Sequence, residues 1–285
     1  MFEAEFLGKL PELNNREDYL TSCVFGSLKY LSPTDVFYPF ISRSYNYFSK
    51  KNLSVYIESL GVQFSDFPTV RTFFWPNSRM YGEPDLVFIL ESTAQQFLLA
   101  VEVKFFAEKH GEEENDQLVR YYKALATVEG RKSFSEEGIR NCKGELLALI
   151  YLTQFEAENE IQQSLQVLQE QGFRAHDKFF HLRWQELIGI VSHLATSGND
   201  PHKKAIYEDL MQLLRFKNLV PFSGFSGLPE KILGDTLVRL PIFFELSNAE
   251  RKPFSGFPNL PVNFAKILSI SSGHAFFNEN ITENI

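Results

Sequence analysis

Gly82-Glu83-Pro84-Asp85-Leu86-Val87-Phe88-Ile89-Leu90 is followed, after the polar break Glu91-Ser92-Thr93-Ala94-Gln95-Gln96, by Phe97-Leu98-Leu99-Ala100-Val101-Glu102-Val103-Lys104-Phe105. Two apolar runs of strand length around a short polar loop read as a hairpin. Centred between Thr93 and Ala94, that hairpin sets Asp85 across from Glu102 and Glu83 across from Lys104. Cross-strand partners share a sheet face, and so do residues two apart on one strand. Asp85, Glu102 and Lys104 are therefore expected on one surface. Both runs are otherwise apolar on both sides, the pattern of strands covered by helices. Charges are costly in such a place unless paired or bound to metal. Two carboxylates beside one ammonium suit a hard divalent cation such as Mg²⁺, with Mn²⁺ expected to substitute.

Pro84-Asp85, sixteen intervening residues and then Glu102-Val103-Lys104 resembles the PD-(D/E)xK nuclease superfamily, the restriction-endonuclease-like fold. A second Glu-x-Lys, Glu250-Arg251-Lys252, sits in a polar stretch closed by Pro253 and reads as a solvated loop. Two flanking features extend the resemblance. Glu17 follows Asn14-Asn15, which can cap a helix running to about Leu31. Its i+3, i+7 and i+11 positions are Leu20, Val24 and Leu28, so the carboxylate lies in line with the buried stripe. It either complements the helix dipole or serves as the acidic residue that members of the superfamily often carry on the helix before the core strands. Asp116-Gln117-Leu118-Val119-Arg120-Tyr121-Tyr122 reads as the start of a helix on which Gln117 and Tyr121 meet at i, i+4. The pair looks like the Q-x-x-x-Y element of RecB-like nucleases; its plainer reading is an ordinary amphipathic helix. The resemblance covers roughly residues 10–155.

The resemblance implies phosphodiester hydrolysis, on DNA in the first instance, of the kind often found in bacterial restriction, defence or mobile-element systems. Asp85 and Glu102 would hold the metal, the Val103 carbonyl would add a ligand, and Glu17 would bind a second ion or act through water. Lys104 is expected to orient or deprotonate the attacking water with a depressed pKa. Gln117 would position water or phosphate, and Tyr121 would contact the substrate backbone or brace Gln117. Glu83 stands where a small or apolar residue is expected and is expected to pair with Lys104 in the metal-free protein. The alternative is a catalytically inactive protein of the same fold that binds nucleic acid or acts as a scaffold subunit. A third reading is an unrelated α/β protein in which these charges form a structural ion pair.

Composition narrows the classes. The 285 residues are 44% hydrophobic and 22% charged, enough for a sizeable core in one large or two small domains. No stretch has the eighteen apolar residues of a membrane span, and Met1-Phe2-Glu3-Ala4-Glu5-Phe6 lacks the form of a signal peptide. A cytoplasmic protein without membrane contact is expected. Cys23 and Cys142 provide no disulfide framework or zinc cluster, and the six histidines lack metal-site spacing. The net charge of −8 is unusual for a nucleic-acid binder and suggests a partner protein or homodimer for substrate delivery. Arg43 with Lys50-Lys51, Arg131-Lys132 with Arg140 and Lys143, and Lys203-Lys204 are local basic groups, although such clusters are more often only solvated. Glu112-Glu113-Glu114 reads as a solvated loop.

The rest of the pattern is α/β. A helix is expected over Val36–Tyr47 and strands over Val70–Trp75, Leu146–Thr153 and Phe179–Arg183. Further helices are expected over Glu158–Gly172, Trp184–Thr196 and Lys203–Phe216. The expected fold is a restriction-endonuclease-like core, residues 1–200, with a mixed sheet flanked by helices. Residues 201–285 form a C-terminal accessory region, in which Pro-Phe-Ser-Gly-Phe occurs at 221–225 and again at 253–257. The copies record a small duplication, aromatic arms, or phenylalanines pinning turns to the core, the last being the commoner case.

Overall fold

The computed structural model describes residues 17–105 and 116–220, so both Pro-Phe-Ser-Gly-Phe copies, Glu250–Lys252 and Glu112–Glu114 lie outside the described residues. The first compact unit runs Met1–Phe222, which places the Pro201–Phe216 helix in the sheet-bearing unit. The described elements, in chain order, begin with α1 (Glu17–Leu28), α2 (Phe37–Ile41), β1 (Tyr45–Asn46), β2 (Lys51–Asn52), α3 (Leu53–Ser59) and β3 (Thr69–Phe74). The hairpin follows as β4 (Leu86–Glu91) and β5 (Gln96–Val103). Next come α4 (Gln117–Ala126), α5 (Val128–Arg131), α6 (Glu137–Arg140), β6 (Glu145–Thr153) and α7 (Glu158–Glu170). The described chain closes with β7 (Phe179–Arg183), α8 (Trp184–Ser197) and α9 (Pro201–Phe216).

The strands form one seven-stranded mixed sheet in the order β2-β1-β7-β6-β5-β4-β3. β3, β4 and β5 are antiparallel neighbours, β5, β6 and β7 are parallel, and β1 returns antiparallel to β7. The hairpin has the expected register, from Glu91 opposite Gln96 to Leu86 opposite Val101. Its turn is held by Ser92, whose hydroxyl accepts from the Ala94 and Gln95 amides. Both faces are covered, which explains the unbroken apolar runs. Leu86, Phe88, Leu99, Val101 and Val103 pack with α1, α2, α8 and α9. Val87, Ile89, Leu98 and Ala100 face α4 and α7. Because side chains alternate, Asp85 and Glu102 continue the second set and project toward α4.

Capping sets the helix starts. Asp116 accepts from the Leu118 and Val119 amides and takes a 2.7 Å bond from the Ser164 hydroxyl of α7, which fixes where α4 begins against its neighbour. Asp200 caps α9 in the same way, with Pro201 at the first helical position. The expected helix over Val36–Tyr47 is much shorter. The Ser42 and Ser44 hydroxyls bond the Tyr38 and Ile41 carbonyls, competing with the amides that would continue the helix. Tyr45 then pairs with His181, and the Asn46 amide donates to the His176 and Phe179 carbonyls.

Gly144 leads into β6 where it meets the start of β5. A Cβ there would lie 2.1 Å from the Gln96 carbonyl oxygen, and backbone cannot yield as a side chain can. Gly144→Ala is therefore expected to lower stability by about 1–3 kcal/mol. Denaturant unfolding checks this, and an unchanged midpoint would contradict the close approach. Among the described residues no helix is long and apolar enough to cross a membrane.

Candidate active site

The hairpin ends beside the loop between β3 and β4, at the carboxyl end of the parallel strands, the usual location of ligand sites in open α/β sheets. The Trp75 amide donates to the Asp85 carbonyl (2.9 Å), closing the loop at its base, and Ser78 and Gly82 exchange two backbone bonds nearer its tip. Tyr121 of α4 donates its hydroxyl to the Glu83 carbonyl at 2.9 Å, tying the segment before Asp85 to the helix that carries Gln117. Gln117 bonds the same hydroxyl. Tyr121 thus meets the cleft-lining segment through the Glu83 backbone carbonyl.

The predicted charges meet. Asp85 Oδ2 accepts from the Val103 amide at 2.7 Å. Lys104 Nζ lies 3.0 Å from Glu102 Oε1 and 3.0 Å from Glu17 Oε1. The other Glu17 oxygen accepts from the Phe105 amide at 2.9 Å, so Glu17, at the start of α1, clamps the chain just beyond β5. The Val103 side chain is in the core. Relative exposures of 7% for Asp85, 3% for Glu102 and 5% for Lys104 make this a buried charge cluster. A cleft of about 580 Å³ opens onto it, lined by Glu17, Asp18, Trp75, Glu83, Asp85, Glu102, Lys104 and Gln117.

Five carboxyl groups thus share the cleft with one ammonium. Burial, only partly offset by the Val103 amide and Lys104, pushes the Asp85 carboxyl up to about 6. Burial and the adjacent Asp85 hold Glu102 well above the usual glutamate value. Lys104 departs from the expected depression. Burial alone would lower it, but Glu102 and Glu17 together outweigh that effect and raise it above the ordinary lysine value. An ammonium between two carboxylates holds its proton more tightly than a free lysine. The expected Glu83–Lys104 pair is also absent: Glu83 takes a long 3.5 Å bond from Asn77, while Lys104 turns to the two closer carboxylates.

The chain matches no protein-family model, no curated protein and no solved structure.

Glu102 Oε2 bears directly on metal binding. This buried oxygen receives no hydrogen bond from a fixed donor among the described residues; the Asp85 and Glu102 carboxyls are close enough to share a proton. Beside Asp85, it needs a proton or a cation. Among the described residues no three carboxylate, imidazole or thiolate groups are gathered into a ready cage. Glu17 is engaged by Lys104 and the Phe105 amide. Two carboxylates at an open cleft fit Mg²⁺ or Mn²⁺, which binds through one or two carboxylates and keeps waters.

Several members of the basic clusters are engaged within the protein. Arg131 is buried and donates to the Leu125 carbonyl, Arg140 binds the Phe134 and Ser135 carbonyls, and Lys132 pairs with Glu129. Arg43 pairs with Glu186 and Lys203 with Asp35. Sequence reasoning did not single out Asp18 and Trp75, which line the cleft. A tryptophan ending a strand before proline looks like core. Only the φ of +46° at Trp75, in a region that a bulky side chain rarely adopts, sets it apart.

Proposed function

We propose that the protein is a metal-dependent nuclease with a restriction-endonuclease-like core, related to the PD-(D/E)xK superfamily and acting on DNA. The observation that carries this reading is the buried Asp85–Glu102 pair, close enough to share a proton and with no fixed donor on Glu102 Oε2, two residues before a buried lysine at an open cleft. Asp85 and Glu102 would hold Mg²⁺ or Mn²⁺, and the Val103 carbonyl and, once released from Lys104, Glu17 would be further oxygen donors. A bound divalent ion supplies charge neutralisation at the scissile phosphate and lowers the pKa of water.

The chain's own groups do the rest. Lys104, kept protonated by Glu102 and Glu17, donates hydrogen bonds to the attacking water or the phosphate and offsets the developing negative charge. Glu17 holds Lys104 in place. Gln117 reaches the cleft from the first turn of α4 and orients the water or a phosphate oxygen, while Tyr121 fixes Gln117 relative to Asp85. The acidic cleft favours a partner protein or second copy that brings the substrate.

Purified protein incubated with plasmid, linear and single-stranded DNA and with RNA, in Mg²⁺ or Mn²⁺, is expected to cleave at least one of them. EDTA is expected to abolish the activity. Inertness on every substrate, together with no Mn²⁺ site by calorimetry, would end the nuclease reading. Mn²⁺ and nucleic-acid binding without turnover would leave a binding subunit of the same fold.

A further inference from the structure

Two side chains around the 75–85 loop have no part in holding a metal or splitting a bond. Trp75 adopts φ +46°, and its amide donates to the Asp85 carbonyl. The strained turn therefore carries the indole to the cleft wall beside Asp85 and Gln117. Its Nε1 is buried without a hydrogen-bond partner among the described residues, whereas a buried indole N–H usually has one. The core tryptophan Trp184 also has an unpartnered Nε1, so the positive φ and the place on the cleft wall are what set Trp75 apart.

Arg120 lies one turn after Gln117 on α4, with its guanidinium carbon 5.9 Å from the Tyr121 ring centre. Its Nε is buried and unpartnered among the described residues, and no carboxylate there pairs with it. Nη1 packs against Gly82, where a Cβ would stand 3.1 Å away, and Gly82 itself has φ +89°. The glycine thus serves both the turn and the space for the arginine. Lys104 is shared between Glu102 and Glu17 at the carboxylate pair, so a phosphate farther along the strand would be served by a second cation. A guanidinium fork fits phosphate oxygens bidentately.

We propose that Trp75 and Arg120 form a nucleotide subsite flanking the carboxylate pair, Trp75 stacking on an unpaired base and Arg120 holding a strand phosphate, so that the site takes single-stranded or unpaired nucleic acid. The base must be unpaired because stacking on a side chain requires a free π face, which duplex stacking covers. The inference deepens the nuclease reading and rests on it for turnover, but its binding test does not.

The two tryptophans report separately, because Trp184 is 0% exposed in the core. In the full chain carrying Trp184→Phe and Asp85→Asn, Trp75 is the sole indole and cleavage is blocked. Single-stranded oligodeoxynucleotide is expected to quench its emission and to bind at least about tenfold more tightly than a blunt duplex of the same sequence. An oligoribonucleotide arm decides between DNA and RNA. Trp75→Ala, read by anisotropy of labelled strand, is expected to weaken binding about tenfold, and Trp75→Phe to retain most of it. Arg120→Ala is expected to weaken binding at low salt and to reduce the salt slope by about one. Gly82→Ala is expected to resemble Arg120→Ala. Unchanged emission, equal affinity for duplex, or unaltered binding by both Trp75→Ala and Arg120→Ala would overturn the subsite. Quenching without turnover in the Asp85-bearing protein would instead sink the nuclease reading and leave the subsite standing.

Discussion

Asp85→Asn is expected to reduce metal-dependent cleavage by about 10³-fold or more and, in the same molecule, to stabilise the metal-free fold at pH 8. The first effect follows from loss of a charged ligand, since metal stabilisation of the transition state amounts to several kcal/mol. The second follows from burial. The folded-state carboxyl is pushed from 3.8 up to about 6, so between these values the native protein binds protons that the unfolded chain releases. This contribution to stability is fully present below pH 3.8, declines as pH rises, and is lost above about pH 6. The penalty for ionising Asp85 at pH 8 is then about 3 kcal/mol at most. Asparagine keeps an oxygen for the Val103 amide but carries no charge. Thermal melts in EDTA at pH 4 and pH 8 should show the variant close to wild type at the lower pH and several degrees more stable at the higher. Equal stability at both values would mean that Asp85 is not held under strain by its surroundings. Mn²⁺ should raise the wild-type melting temperature more than that of the variant.

Lys104→Met has the opposite consequence for stability. It removes the only ammonium among the described residues that line the cleft and leaves Glu102 and Glu17 facing each other across its place. Breaking a buried pair from one side generally costs about 3–5 kcal/mol, because a buried charge is left uncompensated. The raised Lys104 pKa makes its stabilisation fully present below 10.5 and lost only above it, so lysine titration does not reduce the effect at neutral pH. Carboxyl titration does. Glu102 is held above the usual glutamate value, so as the pH falls it takes up a proton sooner than a free glutamate and the damage shrinks. Urea unfolding is therefore expected to show a much larger loss at pH 8 than at pH 5. Adding Glu102→Gln should recover a good part of it, since removing both partners is far milder than removing one. A loss of the same size at both pH values, unrelieved by the second change, would indicate that methionine simply packs badly. Cleavage should fall with either variant.

The hairpin was legible because its information is local. Two continuous apolar runs, a polar loop of defined length and a period of two determine both register and face, and the observed pairing of Leu86 with Val101 follows from that count alone. Glu17 could be singled out because a carboxylate in line with Leu20, Val24 and Leu28 is out of place on a buried stripe. Long-range arrangement was less accessible. The short strand Tyr45–Asn46 exists because His181 offers an edge for pairing, and no local pattern announces that edge. The state of Lys104 was misjudged for a related reason. Burial and charge neighbours act in opposite directions on an ammonium, and the winner depends on how many carboxylates the tertiary structure brings within 3.0 Å of Nζ.

Strand order around the motif, the cover on both sheet faces and the presence of Asp85, Glu102 and Lys104 on one surface were determined by the sequence itself, through patterning that local sterics and burial enforce. Only the tertiary structure decided that Glu17 clamps Lys104, that Tyr121 ties the Glu83 carbonyl to α4, that Trp75 lines the cleft and that Arg120 packs against Gly82. Those contacts join residues far apart in the chain, and which of them form depends on how packed layers meet in space, a property that no short window of residues carries.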